Sequence, residues 1–492
     1  MRLDTPAELS AAAAAHNALG AIAPSYDLLH NIPLLTQARQ AALESSATSA
    51  SAVQTLLQAA EVALLNQARL LTRAATLLQQ GALQEATEVV RWVHGFHLVL
   101  RRLGEVPRQL QLQLLRPSAG QTRQTLGLAQ SSALQEFLLA QARFDATVLA
   151  HFGCAPEGGS SPQLERVLGR GRHTDWDYAL LDLNRASAHE AQRWEEELGA
   201  LTLPSRHTDY DSFIGAALLH QAVQGAQLKQ PTCYTEFVAL HQIPELLSQE
   251  MNDHVEQAVR ELRAERYTAA TEHLQVAQAL LPTLVESQQV MSLCLSASDY
   301  HVFRDNLGPA SGMHSLAIRY HMFRDLFNAL WNELEQQLSA LGLGDLHQTL
   351  QTIDRERHQH PQSWALHGLV NSALAVYTGL DHWRHVHLHM PRNCLGAGGT
   401  KSMIGVPDGL ETVKRMRDAA NALPALLNVH AARGLHMVQT EPSGAVARHH
   451  QKPTALDSRV LNAIGHYTRG EFPHVQDKSV CPFSRSEPPR RP

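Results

Sequence analysis

The sequence predicts an all-α protein. Aromatic side chains make up only 5% of its 492 residues, while leucine, alanine and glutamine are abundant and runs of β-branched residues are few. Apolar residues recur at steps of three and four, the period of an amphipathic helix, most clearly between Leu246 and Leu262. The chain is long enough for two or three domains with sizeable cores.

Composition also narrows the expected partners and compartment. The formal net charge is −6 and no long run of Lys or Arg occurs, which argues against a nucleic-acid partner. No stretch reaches the roughly eighteen uninterrupted apolar residues that cross a bilayer, and the first residues lack the pattern of a signal peptide. The five cysteines are scattered and without C-x-x-C spacing, so we expect reduced thiols in a cytoplasmic protein.

Changes in pattern divide the chain into four regions. Residues 1–153 are helical in pattern, and a loop rich in Gly, Pro and Ser then opens a linker with a polar helix over 154–194. A second helical region covers 195–430. Residues 431–492 lose periodicity and gain Pro, Ser, His and charge, which predicts a disordered tail.

The first region looks like a degenerate copy of the central one. Residues 64–90 (LLNQARLLTRAATLLQQGALQEATEVV) echo residues 246–274 (LLSQEMNDHVEQAVRELRAERYTAATEHL), and RPSAGQT echoes GPASGMH. In the copy, Ala59 and Ala60 lie near the place that corresponds to His241. An internal duplication is one interpretation; two unrelated helical hairpins with similar leucine spacing are the other.

Two short clusters carry candidate chemistry in the central region. In FVALHQIPELL, Phe237 and His241 are four residues apart. In YHVFRDNLGPASG, Tyr300 and Arg304 are four apart, with Leu307 three further on. On helices each set shares one face, so an aromatic ring, an imidazole and a guanidinium can converge on one ligand.

Pro244 interrupts the first of these clusters. Inside a helix, a proline three residues after His241 removes a backbone hydrogen bond and kinks the helix. Alternatively, Pro244 begins the next helix, at the first-turn position where proline is tolerated.

A third cluster is rich in histidine: DHWRHVHLHMPRNCLGAGGT, from Asp381 to Thr400. His382, His385 and His389 recur at helical spacing, which is compatible with a zinc site or with a solvated face.

The motifs FVALHQ…ELL, YHVFRDNLGPASG and WRHVH…LGAGGT occur in this order between about Arg206 and Leu426. Together they resemble the tryptophan 2,3-dioxygenase family. The resemblance implies a helical-bundle haem domain with haem b as cofactor and O₂ as co-substrate. The implied reaction inserts O₂ into the indole ring of L-tryptophan or a related indole and gives an N-formylkynurenine-type product, as in tryptophan catabolism by the kynurenine pathway.

Two alternatives stay open within this resemblance. One is a haem-dependent aromatic oxygenase of a biosynthetic pathway that acts on another aromatic amino acid. The other is a haem-binding protein without turnover.

The resemblance assigns the haem side of the site to the second and third clusters. The W-R-x-x-H step places the axial ligand of the iron at His387, with Trp383 one turn before it. Ser311 and Gly312 belong to a turn that passes near the haem edge in the family.

The substrate side follows from the same resemblance. His241 is the distal histidine that accepts a hydrogen bond from the indole N–H, with Phe237 as an aromatic wall. Arg304 binds the substrate carboxylate through two parallel hydrogen bonds, which a lysine cannot provide. Tyr300 and Leu307 hold the matching positions before and after it.

Two further features concern oligomers and specificity. Tyr210 and Phe213 match a Y-x-x-Y pair that reaches into a neighbouring subunit's pocket in the family, which implies a homo-oligomer, a dimer or a tetramer. Ala397 replaces the family's threonine, whose hydroxyl helps to hold the substrate ammonium. Thr400 or Ser402 is a candidate replacement for that hydroxyl.

Overall fold

The computed structural model describes residues 30–42, 48–110, 124–154, 174–199, 202–205, 209–225, 234–304, 325–343 and 346–396. Over these residues the chain is mostly helical, which confirms the predicted all-α class. In the part of the chain that the structure describes, β structure is limited to two short paired strands.

The first half is organised around one long central helix. Its elements are α1 (Ile32–Ala42), α2 (Thr48–Gln79), α3 (Leu83–Gln109), β1 (Gln124–Gly127), a 3-10 turn (Leu128–Gln130), α4 (Ser132–His151) and α5 (Asp175–Gly199). Helix α2 is rich in Ala and Leu, strong helix formers, and packs between α3 and α4. Helix α2 carries apolar residues on nearly every side, and most of its length is buried.

The predicted linker contains a helix that belongs to this packing. Helix α5 carries polar residues on one face, but Leu180, Trp194 and Leu198 on the other face are buried. It packs along α3.

The second half has a similar arrangement. Its elements are β2 (Thr202–Ser205), α6 (Tyr210–Ile214), α7 (Ala216–Gly225), α8 (Tyr234–Arg263), α9 (Tyr267–Cys294), α10 (Ala297–Arg304), α11 (Asp325–Ala340), α12 (Leu346–Glu356), α13 (Pro361–His387) and α14 (His389–Leu395). Helix α9 packs between α8 and α13. Helix α8 continues through Pro244, so this proline does not begin a new helix.

The two halves share one core. Helix α8 packs on α2 and α9 packs on α3, and the buried apolar residues of both halves form one cluster. Gly95 permits the close approach of α3 to α9, since a Cβ there would lie 2.4 Å from Val290 Cγ1. Strand β1 pairs with β2 in antiparallel fashion, with Gln124 opposite Ser205. The predicted region boundaries stay predictions, and the tail from residue 431 lies outside the described residues.

Three of the five cysteines lie within the described residues. Cys154, Cys294 and Cys394 are free thiols, while Cys233 and Cys481 lie outside the described ranges. None of the described helices combines the length and apolarity needed to cross a membrane.

Candidate functional site

His241 lies on α8 with its ring against Phe237, as the four-residue spacing predicts. Their ring centroids are 4.3 Å apart, and both side chains are buried. The Nδ1 atom of His241 lies 2.7 Å from the backbone oxygen of Phe237. Because a carbonyl oxygen only accepts hydrogen bonds, Nδ1 carries the proton and Nε2 of the neutral ring carries the lone pair.

Burial keeps this imidazole neutral. Desolvation lowers the pKa of His241 to about 4, although the hydrogen bond to the Phe237 carbonyl opposes the shift. At pH 7 His241 is therefore a hydrogen-bond acceptor and a weak base.

His387 is the last residue of α13, one turn after Trp383. The two rings are nearly parallel, with an interplanar angle of 12° and centroids 5.7 Å apart. Trp383 is buried, whereas His387 keeps some accessible surface. Desolvation is nevertheless the main reason why the pKa of His387 falls to about 4. Protein thus surrounds most of the ring, and a small part of the residue stays accessible.

His387 and His241 come from different helices but interact electrostatically. A positive charge on His241 is the second cause of the lowered pKa of His387. Because the interaction between charges weakens with distance, this coupling requires the two rings to be close. Two imidazoles that are neutral at pH 7, one on α8 and one on α13, thus lie within electrostatic range of each other.

The other histidines of the third cluster point elsewhere. His382, His385 and His389 are exposed, and Nδ1 of His385 donates to the backbone oxygen of Asp381 over 2.9 Å. Among the described residues, no three side chains of His, Cys, Asp or Glu are arranged to hold a metal ion. This geometry favours a solvated face over the zinc alternative.

Helix α10 brings the second cluster towards the same place. It packs on α14, the short helix that follows His387. Its Asp299 is also close enough to Glu236, the neighbour of Phe237, to raise the pKa of that carboxyl; desolvation is the larger cause of the value of about 7. Tyr300 is buried, and Arg304 ends the helix one turn later.

Five of the predicted site residues lie outside the described ranges, so their roles stay predictions. They are Leu307, Ser311, Gly312, Ala397 and Thr400.

Tyr210 and Phe213 pack against the first half of the chain. Both are buried on α6, and Gln54 of α2 donates from Nε2 to the Phe213 backbone oxygen over 2.8 Å. Desolvation and the nearby charge of Glu61, also on α2, raise the pKa of Tyr210 well above its ordinary value. The contact with a neighbouring subunit that the resemblance implies stays a prediction.

Sequence reasoning missed the residue that lies on His241. His30, immediately before α1, is completely buried, and its ring stacks on His241 with centroids 4.8 Å apart and an interplanar angle of 25°. Gln242 holds this segment by donating from Nε2 to the His30 backbone oxygen over 2.9 Å. A signal was present, because SYDLLHNIPLLTQ around His30 echoes DYDSFIGAALLHQ around Ile214.

A buried ionic cluster fastens α1 to α8. Arg39 donates from Nη2 to Glu250 and to Asp253, at 2.5 Å each. Ser51, at 2.6 Å, and Thr55, at 3.1 Å, donate to the same Glu250 carboxylate. The position of the segment that carries His30 is therefore fixed by charge as well as by packing.

The sequence matches no known protein-family model, and comparison with curated proteins finds no match.

Proposed function

We propose that the protein is a haem-dependent dioxygenase of the tryptophan 2,3-dioxygenase type, which inserts O₂ into the indole ring of L-tryptophan or a related indole. The observation that supports this proposal most is that His241 and His387, predicted from separate motifs, are buried imidazoles near enough to interact electrostatically. A site of that family requires one histidine on each side of the haem.

The donor set fits the cofactor. Iron in haem takes a neutral imidazole nitrogen as axial ligand, and His387 is neutral at pH 7 and partly accessible. The nearly parallel ring of Trp383 limits rotation of His387. When bound, ferrous haem would supply the activation of O₂, and the protein would supply ligation, orientation and exclusion of water.

On the substrate side, the proposal gives each residue a task that its environment suits. His241 offers the Nε2 lone pair to an indole N–H, because its Nδ1 proton is engaged by the Phe237 carbonyl. With a pKa of about 4 it orients the indole and does not remove its proton. Phe237 supplies an apolar wall, and Arg304 binds the carboxylate of an amino-acid substrate.

The test begins with the purified wild-type protein. It should take up one haem per chain with a Soret band, which should shift when tryptophan is added. With ferrous haem, O₂ consumption should yield a product heavier than tryptophan by two oxygen atoms.

The possible results separate the alternatives. A product from another aromatic amino acid would favour the biosynthetic oxygenase. A substrate-induced shift without O₂ consumption would favour a haem-binding protein without turnover. A protein that takes up no haem would contradict the proposal as a whole.

A further inference from the structure

Two segments of the chain repeat each other at a constant separation of 184 positions. Residues 25–40 read SYDLLHNIPLLTQARQ, and residues 209–224 read DYDSFIGAALLHQAVQ. They share Tyr-Asp near the start, Leu-Leu in the middle and Gln-Ala towards the end.

The backbone repeats at the same separation. Asn31 and Gly215 both have a left-handed conformation, with φ of 53° and 69°. Left-handed residues also join α2 to α3, at Gly81, and α8 to α9, at Glu265. Asparagine and glycine tolerate this conformation, but glutamate rarely adopts it, so its occurrence at the matching turn is informative.

The first helical turns after these junctions also match. Thr87 Oγ1 donates to the Leu83 backbone oxygen over 2.8 Å. Thr271 Oγ1 donates to the Tyr267 backbone oxygen over the same 2.8 Å. Both pairs are 184 positions apart.

Contacts between the halves are reciprocal. Gln242 in the second half donates to the His30 backbone oxygen in the first half over 2.9 Å. Gln58 in the first half donates to the Ile214 backbone oxygen in the second half, also over 2.9 Å. These positions correspond pairwise, so each half binds the short segment of the other.

The short helices approach each other in the same reciprocal way. Asn31 Nδ2 donates to the Ala222 backbone oxygen over 2.7 Å. A Cβ at Gly215, the counterpart of Asn31, would lie 3.2 Å from the backbone of Ala38, the counterpart of Ala222. When residue i contacts j and j contacts i, the interface has the character of a two-fold symmetric dimer.

The two crossed segments differ at the position of His30 and in the side chains that it meets. At the positions that correspond to His241 and Phe237, the first half has Leu57 and Val53, both completely buried. The residue that corresponds to His30 is Ile214, also completely buried.

We propose that the first half is a built-in partner protomer that completes the site of the second half, and that His30 is the positioning residue it contributes. By stacking on His241, His30 limits rotation of that ring and keeps Nε2 directed at the ligand. The exchange of segments stands on the contacts alone, whereas the effect of His30 on an indole ligand rests on the proposed function.

The exchange is tested in the full chain without haem, with a matched pair of variants. Gln58→Ala and Gln242→Ala each remove one side-chain hydrogen bond to a carbonyl of the other half. The rate of amide hydrogen exchange should then rise in the opposite half. It should rise around residues 210–216 for Gln58→Ala, and around residues 30–36 for Gln242→Ala. If each variant loosened only its own half, the proposed exchange would be overturned.

The role of His30 is tested on the haem-loaded protein. His30→Leu should lower the affinity for tryptophan about tenfold, as measured by titration of the Soret shift. Its haem content should stay at the wild-type level. His30→Phe, which keeps a flat ring on His241, should recover most of the affinity. Ile214→Leu, the matched control at the corresponding position of the other crossed segment, should bind tryptophan as the wild type does.

Two outcomes separate failure of this inference from failure of the proposed function. Unchanged tryptophan binding in His30→Leu, with a shift present in the wild type, would overturn the role of His30. Absence of haem uptake or of any shift in the wild type would overturn the proposed function. In that case the hydrogen-exchange experiment would still show whether each half binds the short segment of the other.

Discussion

The two halves of the molecule share a helical frame but differ in what fills it. In the second half, Trp383 stacks on His387. In the first half, Trp194 and Leu198 have the same four-residue spacing at the end of α5, and Trp194 Nε1 donates to His97 Nδ1 over 2.9 Å. His97 and Phe137 fill the space around Trp194.

The two halves also differ at the position of His241. At the position that corresponds to His241 on α8, the first half has Leu57 on α2, which is fully buried. Apolar side chains close-pack and require no hydrogen-bond partner, whereas a buried imidazole does. Leu57 therefore packs without a polar partner, whereas the buried His241 ring has the Phe237 carbonyl as its partner.

The crossed segments differ in the same sense. In the segment that carries His30, Arg39 makes a buried ion pair with Glu250 and a second, partly exposed pair with Asp253. In the other segment, the residue that corresponds to Arg39 is Val223, whose backbone oxygen accepts a hydrogen bond from Arg69. The segment that reaches His241 is thus held by Arg39, and the other segment is held by the interaction of His220 with Glu61 over 3.3 Å.

The largest expected effect comes from separating the halves. Deletion of residues 1–150 should yield insoluble or inactive protein, because α8 and α9 would expose the apolar faces that pack on α2 and α3. Sedimentation and haem content of the remaining fragment provide the measurement. A soluble, active fragment that begins near residue 195 would mean that the halves are independent.

His387 and Leu198, each four residues after a tryptophan at the end of its helix, should respond differently to truncation. His387→Ala should abolish stable haem uptake, whereas Leu198→Ala should cost about 2–5 kcal/mol of stability and leave haem uptake intact. Soret absorbance and thermal unfolding measure these effects. His385→Ala and His389→Ala, on the exposed face, are the controls. Full haem uptake in His387→Ala would show that the axial assignment is wrong.

The ionic cluster around Glu250 should make the free energy of unfolding depend on pH. Desolvation opposes ionisation of Glu250, but hydrogen bonds from His254 and Ser51 and the charge of Arg39 lower its pKa from 4.5 to about 2. Because the folded-state pKa is lower, this contribution is complete above pH 4.5 and disappears as the pH falls towards 2.

Glu250→Gln should therefore lower the free energy of unfolding at pH 7 by about 3–5 kcal/mol and flatten its decline in acid. Urea unfolding between pH 2 and 7 measures both changes. Glu256→Gln removes an exposed ion pair with Arg260 and should have little effect. Equal effects of the two substitutions would mean that the cluster is no stronger than a surface pair.

Arg304 should distinguish ligands by their carboxylate. Arg304→Ala should weaken tryptophan binding by about 2 kcal/mol, the scale of a hydrogen bond to a charged group. Tryptamine, which lacks a carboxylate, should bind the variant and the wild type equally in a spectral titration. An equal loss for both ligands would show that Arg304 is structural.

The smallest expected effect concerns Ala397. If no other hydroxyl binds the ammonium group, the wild type should discriminate little between tryptophan and indole-3-propionate. Ala397→Thr should then favour tryptophan by roughly 1 kcal/mol, the net value of one hydrogen bond. A strong wild-type preference that the substitution leaves unchanged would assign the ammonium contact to another group, such as Thr400 or Ser402.

The sequence by itself determined the helical class and the pairs that lie one turn apart. Phe237 and His241 touch, and Trp383 stacks on His387, as four-residue spacing predicts. This success has a local cause, because the geometry of the α-helix sets the distance between residues i and i+4 whatever surrounds it.

Only the tertiary structure decided which segments meet. It laid His30 on His241, packed Tyr210 and Phe213 against α2, and buried the charge of Glu250. Residues more than 150 positions apart meet because whole helical faces fit one another and together bury apolar surface and satisfy polar groups. Spacing along one helix carries no information about its partner, so the fit between the two halves appears only when both are folded.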